Sequence, residues 1–134
     1  MNILFFLIPK SQVAYVNEHD TFRQVAEKLD FHHYTAIPVL SDEGKYMGTV
    51  AVGDLFWFVK RERNMNYKSA ENYKISDVPF QTRVESIRFD ANMDDLLHLA
   101  MNQNFVPVTD DHDIFIGIIT RKAIIEYFVN NKKE

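Results

Sequence analysis

Apolar and polar positions along this chain repeat themselves once. Residues 34–40, YTAIPVL, and 104–109, NFVPVT, are short apolar runs built around a proline. Each leads into a polar turn, SDEGKY at 41–46 and DDHD at 110–113, and then into a second apolar run that holds a glycine, MGTV and FIGII. Pro38 and Pro107 are 69 residues apart, and so are Gly48 and Gly117. An apolar helical run follows each glycine at the same offset, residues 55–59 and 124–129. Self-similarity at a fixed spacing is the mark of a duplicated supersecondary unit.

The repetition extends upstream. Thr21-Phe22-Arg23-Gln24 has the form of a capping box, in which the Thr hydroxyl accepts from the backbone N–H three residues on. Phe22, Val25, Ala26 and Leu29 follow at i, i+3, i+4 and i+7, one buried helix stripe. In the second half Asn92 takes the cap position, and Met93, Leu96, Leu97 and Ala100 repeat the stripe. Thr21 precedes Pro38 by 17 residues and Asn92 precedes Pro107 by 15, so the helix-to-strand connection is two residues longer in the first half. Strand candidates at 13–16 and 84–87 stand before the helices. Each half therefore predicts β-α-β-β-α, an α+β (α/β) fold of two repeats. Right-handed crossovers put both helices of a repeat on one sheet face. A three-stranded sheet alone buries little, so the repeats are expected to pack through their sheets with pseudo-two-fold symmetry. The expected boundaries are an extension at 1–8, a first repeat at 9–63, a linker at 64–74, a second repeat at 75–129 and a tail at 130–134.

Two stretches modify this picture. Residues 60–74, KRERNMNYKSAENYK, carry no regular apolar stripe and read as a connector. Residues 3–8, ILFFLI, end at Pro9 and lack the length, basic start and cleavage site of a signal peptide, so they read as a short helix or strand packed on the core. No run approaches the roughly 20 apolar residues of a membrane helix. The 134 residues contain no cysteine, which excludes disulfides, thiolate nucleophiles and cysteine-held metal clusters. Against 19 acidic residues stand 15 Lys and Arg, a net charge of −4, and Lys132-Lys133 is a very short basic end. No nucleic-acid or membrane partner is expected from that balance, and a cytoplasmic location is.

The helical runs carry more apolar surface than one face can hide. Leu55, Phe56, Trp57, Phe58 and Val59 are consecutive and so point all round a helix; Ile124, Ile125, Tyr127, Phe128 and Val129 show the same excess. Either the other half of the chain covers them or a second copy does, and the equivalence of the two helices suits a homodimer. Chemistry resembling catalysis is sparse. Asp94 and His98 are i, i+4 and could begin a metal site, but they lie off the buried stripe and have no third ligand at a clear spacing. His32-His33 sits in a loop. Asp110-Asp111-His112-Asp113 lacks the glycine and glutamate of a calcium loop and reads as a hairpin turn. No nucleophile elbow, P-loop or dinucleotide fingerprint is present. No catalytic residue, metal or cofactor is expected; a small metal-dependent hydrolase built on Asp94, His98 and the 110–113 turn is the minor alternative.

The hydrophobic-Pro-Val strand, polar turn, glycine strand and helix, twice over between residues 9 and 129, resemble the cystathionine-β-synthase (CBS) domain, two of which form a Bateman module. The resemblance implies a tandem CBS pair that acts as a regulatory module for adenosine-containing ligands such as AMP, ATP, S-adenosylmethionine or cyclic di-AMP. Members usually carry Gly-x-x-Thr/Ser-x-x-Asp, whose hydroxyl and carboxylate contact phosphate and ribose. Here the two repeats split that signature. Gly48 is followed by Ala51 and Asp54, whereas Gly117 is followed by Thr120 and Ala123. Asp54 is either the signature acid or a first-turn acid favoured by the helix dipole.

YTAIPV with ITRK is also similar to the stand-alone CBS-pair proteins of Gram-positive bacteria that bind cyclic di-AMP. That similarity implies a nucleotide site lined by Gln12, Ala14, Thr35, Ala36, Arg121 and Lys122. It also implies docking onto a partner, a (p)ppGpp synthetase or a metabolic enzyme, that the ligand alters. The residues support a compatible physical reading. Val13, Ala14, Tyr15, Ile37 and Pro38 would form an apolar slot for a purine, with Val13, Ile37 and Pro38 equally suited to plain core packing. Thr35 and Thr120 supply hydroxyls. A helix start with Thr120, Arg121 and Lys122 and no carboxylate is suited to an anion. By pseudo-symmetry, Asp54, Phe105 and Val106 mark a second candidate site. A dimeric scaffold without a ligand is the remaining alternative.

Overall fold

Thr21 starts the first helix as its capping box predicts: its hydroxyl accepts the Gln24 N–H at 3.1 Å, and Gln24 Oε1 accepts the Thr21 N–H at 2.8 Å. The computed structural model describes residues 1–132. In chain order its first elements are β1 (Ile8–Pro9), β2 (Val16–Asn17), α1 (Phe22–His32), β3 (Ala36–Leu40), β4 (Tyr46–Ala51) and α2 (Val52–Arg61). The rest are β5 (Ile87–Arg88), α3 (Met93–Ala100), β6 (Phe105–Thr109), β7 (Phe115–Thr120) and α4 (Arg121–Asn130). The order β-α-β-β-α thus occurs twice. Of the tail expected at 130–134, Asn130 ends α4, and residues 133 and 134, with the basic Lys133, lie outside the described residues. No helix among the described residues is long and apolar enough to cross a membrane.

One unit comprises Ala14–Arg83. Its sheet has the order β2-β3-β4, with β2 parallel to β3 and β3 antiparallel to β4. α1 buries Phe22, Val25 and Leu29 against it, the predicted stripe, and ends where His33 adopts a left-handed φ of 57°. The supposed linker belongs to this core. Met65 and Ala70 are buried, as are Ile75 and Val78 beyond it. Phe22 N–H donates to Tyr73 O and Ile75 N–H to Asp20 O, each at 2.8 Å, which ties the segment to the start of α1. Met65 and Ala70 have no helical or strand period between them, because the segment is a 3₁₀ turn (Tyr67–Asn72) with extended flanks. That irregularity hid the burial from a search for stripes.

The other unit joins Met1–Val13 to the residues from Val84 onward. Its sheet has the order β1-β7-β6-β5. α3 begins at Asn92, whose side chain accepts the Asp95 N–H at 2.8 Å, and buries Leu96 and Ala100. The fourth strand corrects the expected boundary at residue 9. Ile8 and Pro9 pair antiparallel with Ile118 and Gly117, and Ile3 and Phe6 fill the core beside Leu96 and Ile119. A proline is tolerated there because β1 is an edge strand. Residues 1–13 therefore pack on the second repeat, although they precede the first in sequence. Contact with β7 is close: a Cβ on Gly117, which has φ +153°, would stand 2.2 Å from Ile8 O. Gly48, at φ +152°, instead faces the Phe80 ring.

Both strands that precede the helices begin later than expected, leaving 13–15 and 84–86 outside the sheets. The ladders explain why. Glu18 N–H donates to Leu40 O and Phe89 N–H to Thr109 O. A parallel ladder repeats every two residues, so two steps back the N–H groups of 38 and 107 should meet the carbonyls of 14 and 85. Pro38 and Pro107 have no N–H, and pairing stops.

Candidate functional site

The two repeats present equivalent frameworks at the starts of α2 and α4. Val52 N–H donates to Thr35 O at 2.9 Å, and Arg121 N–H to Asn104 O at 2.8 Å. What stands on that framework differs. At α4, Thr120 Oγ1 accepts the Ala123 N–H at 3.0 Å. Arg121 Nε donates to Ala100 O at 2.7 Å, which lays the side chain against the end of α3. The terminal guanidinium nitrogens have no partner among the described residues, and Lys122 is exposed. Arg121 also lines a groove of about 730 Å³ with Asp94, His98, Met101 and Ile125. Two cations, a hydroxyl cap and a helix N-terminus thus stand together in one unit, an arrangement that favours an anion.

At α2 the acid is the part retained. Asp54 is 3% exposed. Its Oδ2 accepts the Ala51 N–H and its Oδ1 the Gln81 N–H, both at 2.8 Å. The carboxylate therefore holds its own helix start and the segment leading out of the unit.

The remaining expected residues divide between the two units. Gln12 is exposed at the end of a 3₁₀ turn (Lys10–Gln12), and Val13 follows it with its N–H on Lys10 O. Both belong with Thr120, Arg121 and Lys122. Ala14, Tyr15, Thr35, Ala36, Ile37 and Pro38 belong to the other unit. There Thr35 is exposed, Ala36 is half-buried, and Ile37 and Pro38 are buried in the sheet. Lys28 Nζ donates to Tyr15 O at 2.7 Å and lies 5.8 Å from the Tyr15 ring centroid. Of the pair marking a second site beside Asp54, Phe105 is half-buried and Val106 fully buried in β6.

One residue was not singled out from the sequence. Gln103 is 9% exposed. Its Oε1 accepts the Glu85 N–H at 2.9 Å, and its Nε2 donates to Glu85 O at 3.0 Å and Phe105 O at 3.2 Å. Glu85 is the residue whose carbonyl Pro107 leaves without a ladder donor, so the available signal was a polar residue shortly before that proline. In the first unit the main-chain N–H and C=O of Ala14 have no partner among the described residues.

The groups that mimic catalysis have local roles. Asp94 and His98 face the groove beside α4. Among the described residues no cluster of three His, Asp or Glu side chains could hold a metal. Asp110 Oδ1 accepts the His112 and Ile114 N–H groups, which makes 110–113 the predicted hairpin turn and holds its carboxyl below the ordinary 3.8. His32 stacks on Tyr34 at 4.8 Å.

Known proteins resemble this chain in four respects. The family model for the CBS domain matches residues 7–61 and 75–130. Cyclic di-AMP receptor B of Bacillus subtilis (strain 168) is 22% identical over 121 residues, 90% of this chain and 82% of that protein. The crystal structure of CbpB in complex with c-di-AMP is similar over 97% of this chain and 85% of its own, at 25% identity and a TM-score of 0.88. A CBS domain protein from Streptococcus pneumoniae TIGR4 covers 97% and 88%, at 26% identity and a TM-score of 0.84.

Proposed function

The chain belongs to the CBS domain family, and we propose that it is a cytoplasmic regulatory module that binds an adenine nucleotide, cyclic di-AMP in first place. The likeness of nearly the whole chain to CbpB in complex with c-di-AMP carries this reading. The anion-suited start of α4 supports it independently. In this reading Thr120, Arg121 and Lys122, with Gln12 and Val13 of the same unit, take phosphate, and Ala14, Tyr15, Thr35 and Ala36 of the other unit offer contacts to an adenosine, while Ile37 and Pro38 stay in the core of its sheet. Loss of the acid at position 123 removes a repulsion that a second phosphate would otherwise meet. The output is a change in docking on a partner enzyme, because a bound ligand shifts populations only through its differential affinity for two states. Exposed apolar side chains on α2 (Phe56, Trp57, Val59) and α4 (Ile125, Phe128, Val129) support a homodimer as the working form.

Calorimetry with cyclic di-AMP, AMP, ATP and S-adenosylmethionine tests the proposal. Cyclic di-AMP is expected to bind most tightly, and binding by none of the four below about a millimolar, roughly −4 kcal/mol, refutes it. Arg121→Ala is expected to weaken cyclic di-AMP about tenfold or more while changing adenosine little. Equal losses for both would remove the phosphate role.

A further inference from the structure

Each parallel ladder is cut at a proline, and each cut deprives one main-chain carbonyl of its donor, at residue 14 in the first unit and residue 85 in the second. The second unit supplies a replacement. Gln103 meets both the N–H and the C=O of Glu85, so a carboxamide acceptor and donor lie against a main-chain donor and acceptor. The edge of an adenine offers the same pair, a ring nitrogen acceptor beside an exocyclic amino donor. In the first unit the equivalent main-chain pair, on Ala14, is without a partner among the described residues.

The difference originates in the two-residue length change seen in the sequence. Chain equivalence through Pro38 and Pro107 sets Tyr34 against Gln103. The extra length lies in the helix: α1 ends at His32 with His33 as its cap, so Tyr34 follows directly, where it is 46% exposed and stacks on His32 instead of turning to Ala14. The shorter helix α3 ends at Ala100, and the chain after it brings residue 103 against Glu85, where the side chain is the one that copies an adenine edge.

We infer that Gln103 is a built-in substitute for a nucleobase: it occupies in the second repeat the main-chain pair that Ala14 offers in the first, so the chain reads one adenine edge and not two. This deepens the nucleotide reading and rests on it. The pseudo-symmetric site marked by Phe105 and Val106 is then closed by the chain itself. For cyclic di-AMP it makes the two adenines inequivalent, with one held by main-chain hydrogen bonds and the other by different contacts.

Amide NMR of the isotopically labelled full chain, titrated with AMP, tests this without any substitution. The Ala14 amide is expected to shift and the Glu85 amide to stay, with one AMP bound per chain. In Gln103→Ala the Glu85 amide is expected to respond as well, and the stoichiometry to rise to two. A Glu85 amide that moves in the unaltered chain, or two AMP bound to it, overturns the inference and leaves nucleotide binding standing. So does a folded Gln103→Ala that still binds one. Should Gln103→Ala not fold, the titration of the unaltered chain decides alone. If neither AMP nor cyclic di-AMP binds the unaltered chain at millimolar concentration, the nucleotide reading fails and this inference fails with it.

Discussion

The start of α2 has a carboxylate without a hydroxyl, and the start of α4 has a hydroxyl without a carboxylate. A capping box contains both, each satisfying a backbone N–H of the other's residue. Asp54 performs one half, on the Ala51 N–H, and Thr120 the other, on the Ala123 N–H. Neither repeat has lost its helix start; each has kept the half compatible with its second task. For Asp54 that task is structural, since its other oxygen holds Gln81. At α4 the first turn holds no acid beside Arg121 and Lys122. A signature that looks degraded when read as one motif is a division of labour between a closed helix start and an open one.

The strongest way to break this comparison of the repeats is at their paired glycines. Gly48 and Gly117 share a φ near +150°, so alanine strains the backbone at both. Only Gly117 also meets main chain, with Ile8 O at 2.2 Å and Leu7 Cδ1 at 2.9 Å; Gly48 meets a ring that can shift, at 3.1 Å. Gly117→Ala is expected to cost about 3 kcal/mol or more, and Gly48→Ala about 1–2 kcal/mol, in urea unfolding. Equal costs would mean that β1 is not seated on β7 as described.

Next in size are the two half-caps. Asp54→Ala removes a buried carboxylate and leaves two part-buried N–H groups without their acceptor, an expected loss of roughly 2–3 kcal/mol. Thr120→Ala removes one accepting hydroxyl, about 1 kcal/mol. Thermal or urea unfolding ranks them, and a larger loss at Thr120 would reverse the assignment of the closed and open starts.

Much of this was legible because it is local and periodic. The caps at Thr21 and Asn92, the stripes of α1 and α3, the hairpins and the 69-residue repeat all follow from short-range chemistry that needs no partner elsewhere. What escaped depends on distant segments. Residues 3–8 read as core-packed, but nothing in ILFFLI says that its partner is β7 rather than the repeat that follows directly. Ala70 is buried by its position in a 3₁₀ turn and Met65 by its place in the irregular stretch before it, not by a stripe. The candidate site shows the same division. Thr120 as a cap was readable from spacing, whereas the bond of Arg121 to Ala100 O and the pairing of Gln103 with Glu85 join residues 18 or more positions apart. The prolines could have flagged the second of these, since each removes a donor that something must replace.

A smaller contrast appears in alkali. Tyr46 is equivalent to Phe115 by the 69-residue spacing. Burial pushes the Tyr46 phenol up to about 12, with its hydrogen bond to Thr49 acting weakly the other way. A raised pKa means that the folded state prefers the neutral phenol. Its contribution is complete below pH 10, the ordinary value, and is lost as the pH rises from there towards 12. Phe115 cannot ionise, so the first unit is expected to loosen before the second, by about 1–2 kcal/mol. Tyr46→Phe should flatten the decline of stability across that window. Tyr67, also raised, by its hydrogen bond to Glu27, is present in both proteins and cancels. An unchanged decline would remove the contrast.

The finest contrast lies in the hairpin turns, where Ser41 and Asp110 are equivalent by the same spacing. Ser41 Oγ accepts the Lys45 N–H at 3.1 Å, and Asp110 Oδ1 accepts the Ile114 N–H at 3.0 Å along with that of His112. One turn is thus held by a group that does not titrate and the other by one that does. The His112 and Ile114 N–H groups, in that order, hold the Asp110 carboxyl below 3.8 in the folded chain. A depressed carboxylate stabilises fully above its unfolded value and loses that stabilisation as the pH falls through its folded one. Below pH 4 the Ile114 amide is therefore expected to titrate and the Lys45 amide to remain still, as followed by amide NMR. Asp110→Ser should abolish the acid response while keeping the hairpin, because it installs the first repeat's turn in the second. A Lys45 amide that moves with Ile114 would show that acid acts on the sheets as a whole, and the two turns would no longer be independent reporters of their repeats.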